Sequence, residues 1–331
     1  SAHADLEIVH GEHSGRPFVG DGERPGDGPA SHSTVHVRRR PPLESRGARL
    51  GTMRLRPFTD GDLTLPFLGT IAFRADRWRD AHTRSSVLEV DGHPVAAGIM
   101  WTSRVHGDRY WVAIVVEPAS RRRGYGKAVF AHLSTLRDAP LAFMTRGYVD
   151  DDALGFADAL GARTIQVVPP ADVPAASRAV LRPHPAVQSV RDLPWDDVLD
   201  ANAAVYAWTH EGWSPVAPDF AAALSEDLEA EVDRDASSAA VVDGEIVALA
   251  LVYHDSTPSC LTAETTRRET ADGERLIEAC VRRSLDVLAA RGVEWVTFDG
   301  HVSDPHFLPV WARLSPRGRW FRLVEIPPAG G

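Results

Sequence analysis

From Trp111 to Ala128 an apolar, β-branched run breaks at Glu117-Pro118, passes three consecutive arginines and two spaced glycines, and enters a helical pattern. Val112, Ile114, Val115 and Val116 favour a buried strand. Gly124 and Gly126 let the backbone turn and approach a ligand closely. A helix starting near Gly126 aims its unsatisfied N–H groups and the positive end of its dipole back into the loop. Such a junction suits a pyrophosphate. The third glycine of a dinucleotide fingerprint is missing, and so is a Gly-x-x-x-x-Gly-Lys-Ser/Thr loop. A surface turn with incidental arginines is the competing reading.

Written as Val116-x-Pro118-x-x-Arg121-x-x-Gly124-x-Gly126, the run resembles the acyl-CoA pyrophosphate loop of the GCN5-related N-acetyltransferase (GNAT) superfamily. The resemblance implies an α/β (α+β) fold, a mixed and mostly antiparallel sheet flanked by helices. It implies acetyl-CoA or a longer acyl-CoA as co-substrate. Backbone donors from Arg122 to Ala128 would hold the pyrophosphate, and Arg121, Arg123 and Lys127 would add charge. With Val115, Val116, Gly124, Tyr125 and Gly126 these residues form the expected CoA site. The strand ending at Val116 would splay from its neighbour and take the pantetheine arm as an added strand.

Composition limits the partners. A chain of 331 residues has room for two domains, and 44% hydrophobic with 25% charged residues is the globular range. A net charge of −10 argues against a nucleic-acid binder and leaves room for a cationic amine. No apolar run approaches the roughly 18 residues of a membrane span. Cys260 and Cys280 make neither a disulfide framework nor a metal motif, and no leader pattern opens the chain. A cytoplasmic monomer or homodimer is the expectation, without metal, nucleic acid or membrane.

The pattern divides the chain into an irregular extension over 1–52, rich in Gly, Pro, Ser, His and Arg, and a folded unit over 53–168. The histidines of the extension, His3, His10, His13, His32 and His36, lack ligand spacing. In the folded unit the pattern predicts a first strand at Leu55-Arg56-Pro57, a helix through Phe67 to Phe73, and a hairpin around Asp91-Gly92. The strand Arg109 to Val116 and a helix from Lys127 to Leu136 follow. Next come a strand at Leu141 to Thr145, a helix from about Asp151 to Leu160 and a strand at Arg163 to Val168.

A proline-rich linker over 169–186 precedes a second unit over 187–331, in which the order recurs. Helices are expected at Trp195 to Ala207 and Phe220 to Glu231, then a second Asp-Gly hairpin from Ala239 to Tyr253. The strand Cys260 to Glu264, a helix Glu274 to Ala290, a strand Glu294 to Phe298 and a helix Phe307 to Leu314 complete it. The second loop, Thr266 to Glu274, has lost the double glycine and carries Glu269, Asp272 and Glu274, which repel a pyrophosphate. The chain thus reads as two tandem GNAT-like domains of which the first binds the donor.

In that family an amine attacks the thioester directly. The resemblance implies that an N–H near Ile114 faces the thioester oxygen. Glu117, at the strand end, is the first candidate base, and His210 is a second. Solvated strand-end and core roles compete with both. Many family members carry a tyrosine as general acid on the helix after the fifth strand, where this chain has Ala157. Water, Tyr148 or a group from the second half would then return the proton. Trp208 and Trp213 read as core or pocket wall, and His301, Asp304 and His306 as a loop with a helix-capping Asp. The expected function is acyl-CoA-dependent N-acylation of a small-molecule primary amine, such as an aminosugar or an antibiotic. The alternatives are a non-catalytic acyl-CoA sensor or scaffold and a protein N-acetyltransferase.

Overall fold

Asp-Gly turns organise the chain twice. In the computed structural model, which describes residues 52–69, 71–254 and 257–328, Asp91 and Gly92 turn at φ 50° and 81° and Asp243 and Gly244 at φ 53° and 85°. Left-handed φ at both central residues matches the right-handed twist of the flanking strands, so each turn closes a two-residue hairpin. The 1–52 extension and its histidines lie outside the described residues, Thr52 excepted.

The chain forms two compact units; by their described residues the smaller comprises 52–99 and 114–136 and the larger 100–113 and 137–328. The smaller unit holds β1 (Met53–Pro57), β2 (Arg84–Val90), the start of β3 (His93–Thr102), the end of β4 (Arg109–Val116) and helix α1 (Tyr125–Thr135). β1 runs antiparallel to β2, with Met53 opposite Val90 and Pro57 opposite Ser86. Val129 and Leu133, four apart on one face of α1, are fully buried. The helix expected from Phe67 to Phe73 does not form. Two 3-10 turns, Asp60–Thr64 and Pro66–Leu68, take its place, and Gly69 at φ 64° ends the second. Asp62 organises the first: it accepts from Thr59 N at 2.8 Å and from both terminal nitrogens of Arg56 at 2.7 Å. Those bonds outweigh its burial and hold its carboxyl at about 2.

The larger unit carries two mixed sheets flanked by helices. The first contains β4, β5 (Ala142–Tyr148), β13 (Phe321–Ile326) and β6 (Arg163–Val168) in that spatial order. β5 is parallel to β4, and β13 is antiparallel to both of its neighbours. The C-terminal strand therefore lies between two strands from the middle of the chain. Helix α2 (Asp152–Asp158) joins β5 to β6.

The second sheet has the order β7-β12-β11-β10-β9-β8. Its strands are β7 (Asp172–Pro174), β8 (Val187–Ser189), β9 (Ser238–Val242), β10 (Glu245–Tyr253), β11 (Cys260–Thr265) and β12 (Trp295–Asp299). Within 169–186, residues 172–174 thus pair as β7 with β12. Only the β11–β12 ladder is parallel.

Period-two alternation along β10 divides its side chains between two layers. Ala248, Ala250 and Val252 face α6 (Gly273–Ala290), which buries Ile277, Val281, Leu285 and Leu288 at helical spacing. Leu249, Leu251 and Tyr253 join the cluster of α3 (Trp195–His210) and α5 (Leu228–Glu231). Each such buried aliphatic side chain contributes about 2 kcal/mol. The expected helix Phe220 to Glu231 is two pieces, α4 (Phe220–Ser225) and α5, because Asp227 adopts φ 64° between them. Helix α7 (Phe307–Arg313) completes the set, and no helix among the described residues is long and apolar enough to cross a membrane.

Candidate active site

The loop after β4 is folded as an anion cradle. Pro118–Ser120 form a 3-10 turn, Arg122 adopts φ 63°, and Gly124 caps α1 at φ 87°. No side chain caps α1 and no acid lies in its first turn. Its leading N–H groups and dipole are thus left to attract an anion. Arg121, Arg122, Arg123 and Lys127 are exposed, and Arg121 Nε donates to Val116 O at 3.3 Å. Glu117 accepts from Ser120 Oγ at 2.7 Å while its own N–H donates to Val95 O at 2.9 Å, so it fixes the turn. Ile114, Val115 and Val116 are half-buried in β4, and Tyr125, Gly126 and Ala128 are half-buried in α1.

The parallel ladder between β4 and β5 runs Arg109–Ala142, Tyr110–Phe143 and Trp111–Met144 and closes there. A second parallel ladder, β11 to β12, also spans three pairs and closes at Thr262–Asp299. The two halves match in register: Val95 and Val247 each follow the hairpin glycine by three residues. Each accepts one hydrogen bond, from Glu117 N and from Thr266 N at 3.0 Å. Thr266 therefore corresponds to Glu117, and Glu264 to Val115.

The corresponding features of the second half are filled by its own side chains. Thr265 N donates to Asp304 Oδ2 at 2.8 Å, and Thr265 O accepts from Trp208 Nε1 at 2.8 Å. Those are backbone groups that an added strand would need. At the head of α6, a Cβ on Gly273 would lie 2.6 Å from the His306 ring, and His306 Nε2 sits 3.2 Å from Arg268 O. Glu274 stands in the first turn and pairs with Arg313. The α6 terminus is covered and acidic where the α1 terminus is open and basic.

Past Thr262–Asp299 the larger unit instead encloses a cavity of about 70 Å3. Glu264 and Asp299, at the ends of β11 and β12, are 6% and 7% exposed. Glu264 Oε1 lies 2.6 Å from His301 Nδ1 and accepts the His301 backbone N–H at 2.7 Å. Burial pushes Asp299 up to about 6, against the opposing charge of His301. Burial alone would lower His301, but the charge and hydrogen bond of Glu264, with Asp299 and Asp304 behind, carry it above its ordinary value.

His210 lies in the same cluster. Its ring stacks on Tyr206 at 3.9 Å and meets His301 edge-on at 4.3 Å, and its Nδ1 lies 2.8 Å from Tyr206 O. His106 Nε2 lies 2.8 Å from Tyr206 Oη, and burial lowers the pKa of this ring. Trp213 also lines the cavity and donates to Thr209 O at 3.0 Å, whereas Trp208 does not line it. Asp304 holds its loop, as its capping role predicts, by accepting from Thr265 N and from His306 N at 2.8 Å. Sequence reasoning missed Glu264, Asp299 and His106 as cavity residues. Glu264 inside an apolar strand was the one signal available.

Asp299 sets a pH-dependent cost. Its folded pKa is raised, so the penalty of ionising it is absent below about pH 4 and complete above about pH 6. Asp299→Asn is therefore expected to stabilise the protein by about 2 kcal/mol at pH 8 and by almost nothing at pH 4. Thermal melts at the two values check this; equal shifts would contradict it.

Residues 50–160 match the model of the acetyltransferase (GNAT) family. The fold is GNAT-like. A GCN5-related N-acetyltransferase from Sphaerobacter thermophilus matches at TM-score 0.50 and 16% identity, over 74% of this chain and 81% of that one. The glucosamine N-acetyltransferase region of a fungal multi-domain GH3 β-N-acetylglucosaminidase matches at 0.50 and 14%, over 83% and 38%. A tandem GNAT protein from the clavulanic acid biosynthesis pathway matches at 0.47 and 18%, over 75% and 84%. At these identities the likeness is one of fold. Among curated proteins none matches in sequence.

Proposed function

We propose that the protein is an acyl-CoA-dependent N-acyltransferase that acylates the primary amine of a small molecule. The observation that carries this reading is the Glu117–Ala128 loop. It joins left-handed Arg122 and Gly124 to an acid-free helix terminus beneath three exposed arginines, inside the segment that matches the acetyltransferase model. The pyrophosphate of CoA would rest on the N–H groups from Arg122 to Ala128, with Val115 and Val116 beside the pantetheine arm. The N–H near Ile114 would stabilise the oxyanion. The amine lone pair forms the new N–C bond, the C–S bond breaks, the amine loses a proton to a base, and the CoA thiolate takes one up.

Glu117 and His210 remain candidates for the base. Ala157 is buried at 1% exposure, so the family's usual tyrosine has no counterpart in α2. Tyr148, whose pKa is raised by burial and which therefore keeps its proton, is the candidate donor to the thiolate. The neighbours' titles, one naming glucosamine and one an antibiotic pathway, agree with a small polar amine as acceptor.

Calorimetry with CoA and with pantetheine tests the donor site. CoA is expected to bind about 100-fold more tightly, through its phosphates, and to lose affinity as salt rises. Equal affinities would refute the loop assignment. Release of thiol from acetyl-CoA and longer acyl-CoAs across a panel of amines tests turnover. Binding without turnover would favour a sensor.

A further inference from the structure

The cavity beyond Thr262–Asp299 has two needs that its own side chains leave unmet. First, Glu264 and Asp299 bring two carboxylates into an almost dry space walled by Tyr206 and Trp213. His301 answers Glu264 at 2.6 Å, yet Asp299 still titrates near 6 and resists ionisation. Buried carboxylates of this kind favour a cation, and aromatic walls favour an ammonium in particular. Second, Trp111, 7% exposed and also on the cavity wall, has its indole Nε1–H buried without a hydrogen-bond partner. A buried donor of that kind calls for an oxygen acceptor. At about 70 Å3 the cavity admits about two water-sized groups, an amine head and one adjoining polar group.

We propose that this cavity binds the head of a primary amine carrying an oxygen acceptor, as in an amino alcohol or aminosugar, between Glu264, Asp299 and Trp111 Nε1. Its ammonium faces the two carboxylates and its oxygen accepts from the indole. His301, with Nδ1 on Glu264, presents Nε2 as the acceptor of the ammonium proton. That last role rests on the acyl-transfer reading; the binding itself does not. The charges that set the His301 protonation come from several elements. They are Glu264 on β11, Asp299 on β12, Asp304 before α7, His106 between β3 and β4, His210 on α3 and Arg146 on β5. In the sheet geometry, the second half has exchanged the opening that would take a donor strand for a site that takes an amine.

Nitrogen-detected NMR of the His301 ring, assigned with His301→Gln, tests the site with no CoA present. Ethanolamine and glucosamine are expected to shift its resonances saturably, while glucose has no effect and cyclohexylamine binds more weakly. Glu264→Gln should weaken ethanolamine and glucosamine about ten-fold or more, and Glu264→Asp should restore most of the loss. Trp111→Phe should weaken the oxygenated amines and leave cyclohexylamine unchanged; this contrast serves also if a Glu264 variant unfolds. Silence of His301 towards both oxygenated amines, an equal response to glucose, or wild-type affinity in Glu264→Gln would each overturn the proposal. Because no donor is present, any of these results leaves the reading of the Arg122–Ala128 loop standing, and that reading fails separately through the CoA titration.

Discussion

Replacing Gly124 by valine is expected to weaken CoA binding about 100-fold or more, with the far-ultraviolet circular dichroism spectrum unchanged. Gly124 sits at φ 87° as the cap of α1, a conformation that costs a β-branched residue on the order of 1–3 kcal/mol. Space is not the difficulty: a Cβ there would meet no heavy atom within 4 Å. The loop would instead relieve the strain by rotating its peptide units, and the N–H groups that converge on the cradle would turn away. Each hydrogen bond from a backbone donor to a charged phosphate contributes about 1.5–3 kcal/mol, so losing two accounts for the expected change. Gly124→Ala should fall between wild type and valine. Titration of CoA into the folded variant checks the effect, and an unchanged Kd would remove the pyrophosphate from this loop.

The loop was legible because its function resides in the backbone. A glycine pair at fixed spacing, placed between a β-branched run and a helical one, predicts left-handed φ and a helix terminus, and both are present at Gly124 and Tyr125. The hairpins were legible for the same local reason. Asp-Gly sets the turn, and the turn sets the register that leads to Val95 and Val247 as matching acceptors. The helix expected over Phe67–Phe73 failed where local chemistry overrode an apolar run: Pro66 and Gly69 permit only short turns.

The cavity was not legible because its members meet only through the parallel ladder of β11 and β12. Glu264 and His301 are distant in sequence, and nothing local to either announces the other. His301 stood beside Asp304 and His306 and looked like part of a capping loop, which Asp304 does build. His210 stood out in an aromatic stretch, and the structure places it in the same cluster, with Nδ1 directed at a backbone carbonyl. The place of β13 was equally hidden. No sequence period tells Phe321–Ile326 to pair with Phe143–Tyr148 instead of with its own neighbours.

That hidden strand brings the second large effect. Glu325 on β13, 7% exposed, reaches Arg109 Nε at 2.5 Å and Arg163 at 2.7 Å. Burial would raise its pKa, but the two guanidinium groups outweigh burial and lower it. A depressed folded value means that the stabilisation is complete above the unfolded pKa, near 4.3, and is lost as pH falls through the folded one. Arg163 is largely exposed and adds little; the Arg109 side chain, 12% exposed, carries most of the effect. Removing the carboxylate in Glu325→Ala leaves Arg109 buried with Asp108 alone, which is expected to cost about 3 kcal/mol at neutral pH and to lower Tm by about 6–10 °C. Melts at pH 7 and below pH 4 check the sign, since the deficit should shrink in acid. Arg109 also begins the ladder that ends at Trp111–Met144, and Phe321 and Leu323 on β13 line the same cavity as Trp111. Glu325→Ala should therefore weaken the oxygenated amines at His301 while CoA affinity stays at its wild-type value, the opposite of the pattern at Gly124. Loss of both affinities together would mean that the charge cluster holds the whole fold and has no particular hold on the cavity wall.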